Sequence, residues 1–400
     1  MQQQSDICIV GYGAVGKVAA LGLAQAGHSV ILVRPATVPV LAAPEVVAGW
    51  DVRVYALNHE AQALLASVKV WDAMDAARIA PVAAMAVQGD ATTGAGHLGF
   101  DAYGARVGAL AWIVEDANLN QALDAALKFS PNVRIVAANA KGLRITEQTA
   151  ILKLENSDEI HSSLLIGADG GNSWVRGQSD IDIAYRPYGQ RAVVSNFACQ
   201  LPHQGVAHQW FTAQEGVIAL LPLPGERVSL VWSAPEDLAE TLMRESPAQM
   251  AARLEHYCAA KLGQLTPLQP EVVKAFPLTL VRPLAITAPR TALVGDAAHV
   301  VHPLAGQGMN LGFADVATLL AIIAARETQR DCGDERVLAR YARARKEEIL
   351  LMQIATDGLD RLFSIDFEPL RVARNLGMNL IDKLPFLKRR LLSHALGKRP

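Results

Sequence analysis

Three segments of this 400-residue chain carry residue types at spacings that could do chemistry. In the first, Gly11-Tyr-Gly13-Ala14-Val15-Gly16 lies between an apolar run, Ile7–Val10, and a helical pattern over Lys17–Gln25 that Gly27 ends. Glycines between a strand and a helix make the tight turn, admit a pyrophosphate to backbone N–H groups at the helix start, and let helix and sheet approach. The spacing points to a dinucleotide. About 20 residues further on, a carboxylate should bond the ribose hydroxyls. Arg34 stands there instead, and no Asp or Glu occurs between Asp6 and Glu45. An Arg at this place is the usual sign of a 2′-phosphate, so on this segment alone an NADP-dependent dehydrogenase is an open reading.

The second segment is Gly167-Ala-Asp169-Gly-Gly-Asn-Ser173-Trp-Val-Arg176, and the third runs from Gly295-Asp296 through His299, His302 and Pro303 to Gly306-Gln307-Gly308-Met309-Asn310-Leu-Gly312. Asp296 follows a buried strand, where a carboxylate can accept hydrogen bonds from a sugar-like polyol. Gly306 and Gly308 let the backbone come close to a flat ring. A helix starting near Met309 would turn its free N–H groups and positive end toward that ring and favour negative charge on it. His299 and His302, three apart, invite a metal reading. No third ligand of matching character lies nearby, and Pro303 interrupts a helix there. The Gly-x-Ser-x-Gly elbow is absent and no Ser-His-Asp or Cys-His pairing is suggested, so hydrolysis is unsupported.

In this order and spacing the three segments resemble the GxGxxG, DG and GD motifs of the FAD-dependent aromatic hydroxylases, and the resemblance covers nearly the whole chain. Within that group the chain is most similar to the ubiquinone-biosynthesis hydroxylases, through the run from His302 to Gly312, the strands Leu220–Leu223 and Val231–Ser233, and Asp360-Arg-Leu-Phe-Ser364. The resemblance implies an FAD-dependent monooxygenase that uses NAD(P)H and O2 to hydroxylate a phenolic ring, a polyprenylated phenol on the way to ubiquinone. Hydroxylation of another small aromatic, a flavin-dependent prenyl reductase, and a flavin-binding but catalytically idle member of a multi-enzyme assembly stay open.

By the same resemblance FAD would be held by Gly11, Gly13, Ala14, Val15, Gly16, Arg34, Arg53, Asp169, Asp296, Gly306, Gln307, Gly308, Met309 and Asn310. The carbonyl of Pro303 would lie beside the reactive edge of the flavin as the catalytic group. Asp169 and Arg176 would be the polar members of a turn touching both FAD and the docking path of NAD(P)H. Glu115-Asp116-Ala117 and Asn120 match a stretch that usually reads Glu-Asn-Arg with a later Gln, so an Arg contact usual in the family is missing here.

These residues need a scaffold. Ile7–Val10, Ser29–Val33, Leu164–Gly167 and Thr291–Val294 read as buried strands, with helical patterns over Lys17–Gln25 and Leu119–Leu127. Between Tyr185 and Ser233, β-branched and aromatic runs broken by Pro202, Pro222 and Pro224 read as a separate, mostly antiparallel sheet. The expected fold is α/β: a Rossmann-like FAD-binding domain from residues 1–75, 98–178 and 276–350, an inserted antiparallel substrate domain from 76–97 and 179–275, and a helical C-terminal region, 351–400. With 51% hydrophobic and 19% charged residues the chain can bury a large core, which argues against disorder. A net charge of −2 lacks the basic footprint of a nucleic-acid binder.

Four cysteines without a CxxC pair fit neither a disulfide framework nor a thiolate zinc site. The N-terminus lacks a basic region followed by an apolar run, and no apolar stretch reaches the length of a bilayer span. A cytoplasmic protein is expected. Lys383, Lys388, Arg389, Arg390, Lys398 and Arg399, interleaved with Leu and Phe and with no acid, can lie on an anionic membrane surface, or form a solvated basic end.

Overall fold

A computed structural model describes residues 2–37, 49–90, 95–269, 273–302, 306–365, 367–384, 386 and 388. At the centre of the first sheet is β1 (Gln2–Val10), between β2 (Val30–Arg34) and β11 (Glu159–Gly167); β8 (Val133–Ala137) lies outside β2, and β19 (Thr291–Leu293) then β18 (Thr287–Ala288) outside β11. From β8 to β19 these strands run parallel, while β10 (Ala150–Leu154) and β9 (Ala140–Ile145) form an antiparallel branch from β11. A parallel sheet covered on both faces needs unbroken apolar strands, and Ile7–Val10, Val30–Val33 and Leu164–Ile166 are all buried. Helices α1 (Ala14–Gln25) and α7 (Gln307–Ala324) meet at Gly22, where a Cβ would stand 2.5 Å from Leu320 Cδ1.

The second sheet contains β12 (Ile183–Cys199), β13 (Val206–Thr212), β14 (Gly216–Leu223), β15 (Arg227–Pro235), β16 (Leu265–Pro267) and β17 (Lys274–Pro283), extended by β5 (Ala84–Gly89) and the edge strand β6 (His97–Asp101). Its two faces alternate residue by residue. Val193, Phe197, Ile218, Leu230 and Trp232 point into a core shared with α5 (Glu236–Arg244) and α6 (Pro247–Leu262). The other face, with Val194, Ala219 and Val231, turns toward the first sheet's glycine-rich loops. A small third sheet, β3 (Val54–Leu57), β7 (Ala111–Glu115) and β4 (Ile79–Val82), bridges the two. The remaining helices are α2 (His59–Ser67), α3 (Asp116–Lys128), α4 (Trp174–Gln178), α8 (Glu335–Ser364) and α9 (Glu368–Asp382).

The pairing moves the boundaries drawn from sequence. β6 pairs with β5 and β17 with β12, so divisions at 98 and 276 fall inside strands of the second sheet. Likewise α8 runs through residue 351 without a break. The second sheet also contains one parallel pair, β5 with β13. Helices α5 and α6 have no counterpart in the sequence reading, although Ser246 and Gln249 form a reciprocal capping box with Pro247 at the first turn.

A buried carboxylate joins the third motif to the helices behind it. Asp315 of α7, fully buried, accepts hydrogen bonds from Gly295 N at 2.9 Å and His299 Nε2 at 2.7 Å, and from Arg345 Nε of α8 at 2.7 Å. Arg345, also fully buried, donates further to Leu311 O and pairs with Glu348. Burial works to raise the Asp315 pKa, but His299 and Arg345 outweigh it and hold the carboxyl below its usual range. Removing one partner of such a network costs about 3 to 5 kcal/mol. Asp315→Asn should therefore lose stability of that order at pH 7. Because the folded pKa lies below the unfolded one, the wild-type advantage is fully present above about pH 4 and disappears as pH falls through the folded value. Urea unfolding of both forms at pH 7 and at successively lower pH checks this; a deficit that does not shrink on acidification would contradict it.

Candidate active site

A cavity of about 1040 Å³ lies between the loops of the first sheet and the open face of the second. The first motif forms one end. Gly11 has φ +125°, and a Cβ there would lie 2.1 Å from Ala168 O, so only glycine lets the first and second motifs touch. Gly13, Ala14 and Val15 line the cavity, whereas Gly16 packs beneath them, where a Cβ would come within 2.2 Å of Gly11 O. Gly13 caps α1 without a side-chain hydrogen bond, so the free N–H groups of the first turn open onto the cavity. Arg34 lines the same end at the close of β2, its guanidinium 6.0 Å from the Tyr12 ring.

The third motif forms the floor. Asp296 projects, exposed, into the cavity; desolvation by the walls around it raises its carboxyl above the usual range, against the pull of His299 and Arg53. Gly306, with φ +67°, precedes α7 as a second helix cap without a side-chain bond, and Gly308 and Met309 line the cavity, with open space beside the Gly308 Cα. Asn310 faces away from it. Its carboxamide donates to Ala56 O at 2.8 Å and accepts from Asn58 N at 2.9 Å, fixing β3 and α2 to α7. Pro303 and the Gln307 side chain lie outside the described residues.

Arg53 lines the cavity with its guanidinium 5.6 Å from the Tyr55 ring and 6.0 Å from the Phe276 ring. Asp169 also lines it, but its carboxylate accepts from Ser173 Oγ and Val175 N, at the start of α4. Arg176 is buried outside the cavity, donating to Ala297 O at 2.9 Å and Gly171 O at 2.7 Å, and so ties the second motif to the third. His299 belongs to the Asp315 network, and the fully buried His302 bonds Gln190 Oε1 at 3.1 Å.

The departing stretch after β7 builds its own network. Glu115, fully buried, receives Arg78 through Nε at 2.6 Å and Nη2 at 2.8 Å. Asp116 accepts from Tyr55 Oη at 2.7 Å and Asn120 Nδ2 at 2.8 Å, and Asn120 in turn accepts from Lys17 Nζ at 3.0 Å. Sequence reasoning singled out neither Tyr55 nor Lys17, because their partners lie 61 and 103 residues away.

These features fit FAD on structural grounds. Two helices of 12 and 18 residues bring uncapped N-termini into one elongated cavity, with a carboxylate and an arginine beside them. Free N–H groups at such positions favour the negative charge of a pyrophosphate or of a reduced flavin ring. At the ribose end, among the described residues, Arg34 stands at the close of β2 where a carboxylate is customary. Asp296→Ala should weaken FAD binding roughly ten- to a hundredfold, the loss of a charge-assisted hydrogen bond. Fluorescence titration of both forms with FAD measures it, and equal dissociation constants would remove Asp296 from the cofactor site.

The family model described as an FAD binding domain matches residues 4–350. The 3-demethoxyubiquinol 3-hydroxylase of Escherichia coli strain K12 is 36% identical to this chain, over 99% of each. The ubiquinone hydroxylase UbiL of Rhodospirillum rubrum is 34% identical over 98% of this chain and 90% of its own. Among solved structures, p-nitrophenol 4-monooxygenase PnpA from Pseudomonas putida DLL-E4 shares the fold, with a TM-score of 0.79 over 100% of both chains at 16% identity. With its motifs gathered around one cavity and relatives matched end to end, the chain belongs to the FAD-binding-domain family, among the ubiquinone-biosynthesis hydroxylases, as an FAD-dependent monooxygenase using NAD(P)H and O2.

Proposed function

We propose that this enzyme hydroxylates the ring of a polyprenylated phenol on the way to ubiquinone, and that it meets this substrate at an anionic membrane surface. The observation that carries the substrate reading is the roof of the cavity: among the described residues, the second sheet contributes no Lys, Arg, Asp or Glu to its lining. Such a roof suits a neutral, apolar ring and offers no counter-charge to a carboxylated one. FAD, when bound, would supply the redox chemistry, by which NAD(P)H provides two electrons, one oxygen atom of O2 enters the ring and the other leaves as water. The chain's own part is binding, orientation and exclusion of water. The α1 N-terminus serves the pyrophosphate and Asp296 the ribityl hydroxyls, while Arg53 and the α7 N-terminus serve charge on the flavin ring, and the apolar roof keeps water from the reacting edge. By the family resemblance the carbonyl of Pro303, which lies outside the described residues, would serve that edge. Mass spectrometry of the quinone intermediates in a deletion strain tests the reading. A precursor lacking one ring oxygen should accumulate, and an unchanged quinone pool would point to another aromatic substrate.

The membrane part rests on α9. Val372, Leu376 and Leu380 recur every four residues along it, and each is at least 50% exposed. An exposed apolar stripe on an amphipathic helix can enter the headgroup region of a bilayer. The basic residues from Lys383 onward would add about 1 kcal/mol each at most, reduced by salt. Among the described residues no helix is long and apolar enough to cross a membrane. Changing Leu376 and Leu380 together to Glu should leave FAD content unchanged and reduce co-sedimentation with anionic liposomes. Binding to neutral liposomes should be weak in both forms. If the wild-type chain ignores anionic liposomes at low salt, the membrane contact is wrong.

A further inference from the structure

Within the apolar roof, two polar side chains stand out. Gln209 of β13 and Ser233 of β15 line the cavity, are 5% and 4% exposed, and make no hydrogen bond with any described residue. Both are on the cavity face by register: Gln209 lies opposite Ala219, and Ala219 opposite Val231, while Ser233 lies two residues along from Val231, opposite Val217. Their sequence neighbours Trp210 and Trp232 point the other way, into the core shared with α5 and α6.

A buried carboxamide or hydroxyl without a partner is unfavourable, and most such groups in folded proteins are satisfied. The buried amide oxygens of Asn196 and Asn375 are also unpaired but are sealed inside the protein, whereas the polar ends of Gln209 and Ser233 reach the cavity, where a ligand can complete them. Gln209 offers a donor and an acceptor to the space under the roof. A ligand that completes these bonds must carry a neutral oxygen on an otherwise apolar body. A phenol does so, since its hydroxyl can donate to the carboxamide oxygen while its lone pair accepts from the amide N–H. Neighbouring strands lie about 4.8 Å apart, so Ser233, two strands away, is placed toward the far side of a single ring.

We infer that Gln209 is the substrate-orienting residue of the hydroxylation: its carboxamide binds the phenolic oxygen, while Ser233 faces a second oxygen substituent across the ring. Bonds at these two points would fix which ring carbon is turned toward the floor of the cavity, and so the position hydroxylated. The inference rests on the reading of the substrate as a neutral phenol.

The test uses the FAD-loaded enzyme in detergent micelles and two probes, 2-farnesylphenol and its O-methyl ether, with binding read from the change in the flavin absorption spectrum. The wild type should favour the phenol roughly tenfold, the worth of one well-made hydrogen bond in a dry site. In Gln209→Leu the preference should fall to near unity while binding of the ether is unchanged, and less product should form per NAD(P)H consumed. Gln209→Met, closer in volume, provides the same measurement should the Leu variant fold poorly. A variant that binds both probes yet keeps the wild-type preference overturns the role of Gln209 and leaves the substrate reading standing. A wild type that binds neither probe overturns both.

Discussion

The position of the cofactor-binding floor depends on one buried carboxylate. Asp315 bonds the loop that carries Asp296, through Gly295 and His299, and holds Arg345 from α8 on its other oxygen. Tyr341, one turn earlier on α8, donates to Leu293 O at the end of the neighbouring strand. A fully buried ion pair adds little net stability compared with an apolar replacement of the same shape. It does enforce direction, because each oxygen must keep its donors or pay the full desolvation of a charge. Strand, loop and two helices are thus locked in one arrangement, and Asp296 and the start of α7 are fixed relative to each other before any ligand binds.

The roof is joined to the same helices by a second polar junction. Gln190 of β12 accepts from His302 and donates to Asp360 of α8 at 2.9 Å, and Arg186 pairs with Asp357 one turn away. Burial lowers the His302 pKa to about 4, so the ring is neutral near pH 7 and joins the junction as a dipole. One long helix therefore braces both walls of the cavity, Arg345 on the floor side and Asp360 on the roof side. This brace is why a boundary at residue 351 has no physical counterpart.

Local signals are clearest for the floor. The strands around Ile7–Val10 and Leu164–Gly167 are uninterrupted apolar runs, and Gly11, Gly16, Gly306 and Gly312 stand where a left-handed turn or a close approach needs glycine, whereas Gly13 and Gly308 leave open space. Asp296 and Gly308 were legible because their motif is contiguous and Arg53 only through the family resemblance, and all three line the cavity. Gly16, Asn310 and Arg176 belong to the same motifs but act behind the surface, as packing and backbone ties, a distinction that spacing does not encode. Asp315, Gln190 and Gln209 were not legible. Each is an ordinary polar residue without a local signal, and its meaning comes from neighbours on other elements. The helical pair α5 and α6 was hidden differently: its capping signal is local, but it interrupts a run of strands whose alternation drew the reading.

The edge of the second sheet has a consequence of another kind. β6 is the outermost strand, and its His97 and Gly99 N–H groups donate to Asn379 and Asp382 side chains on α9, while Arg374 and Asn375 of the same helix bind Asp90. At Gly96 a Cβ would come within 2.9 Å of the Asn375 backbone, so the helix lies directly on the strand. An uncovered edge strand is a template for another chain's strand. By spending its polar face on those edge donors, α9 denies them to a neighbouring copy, and any shortening of the chain that removes this helix would bare the β6 edge to strand-to-strand pairing.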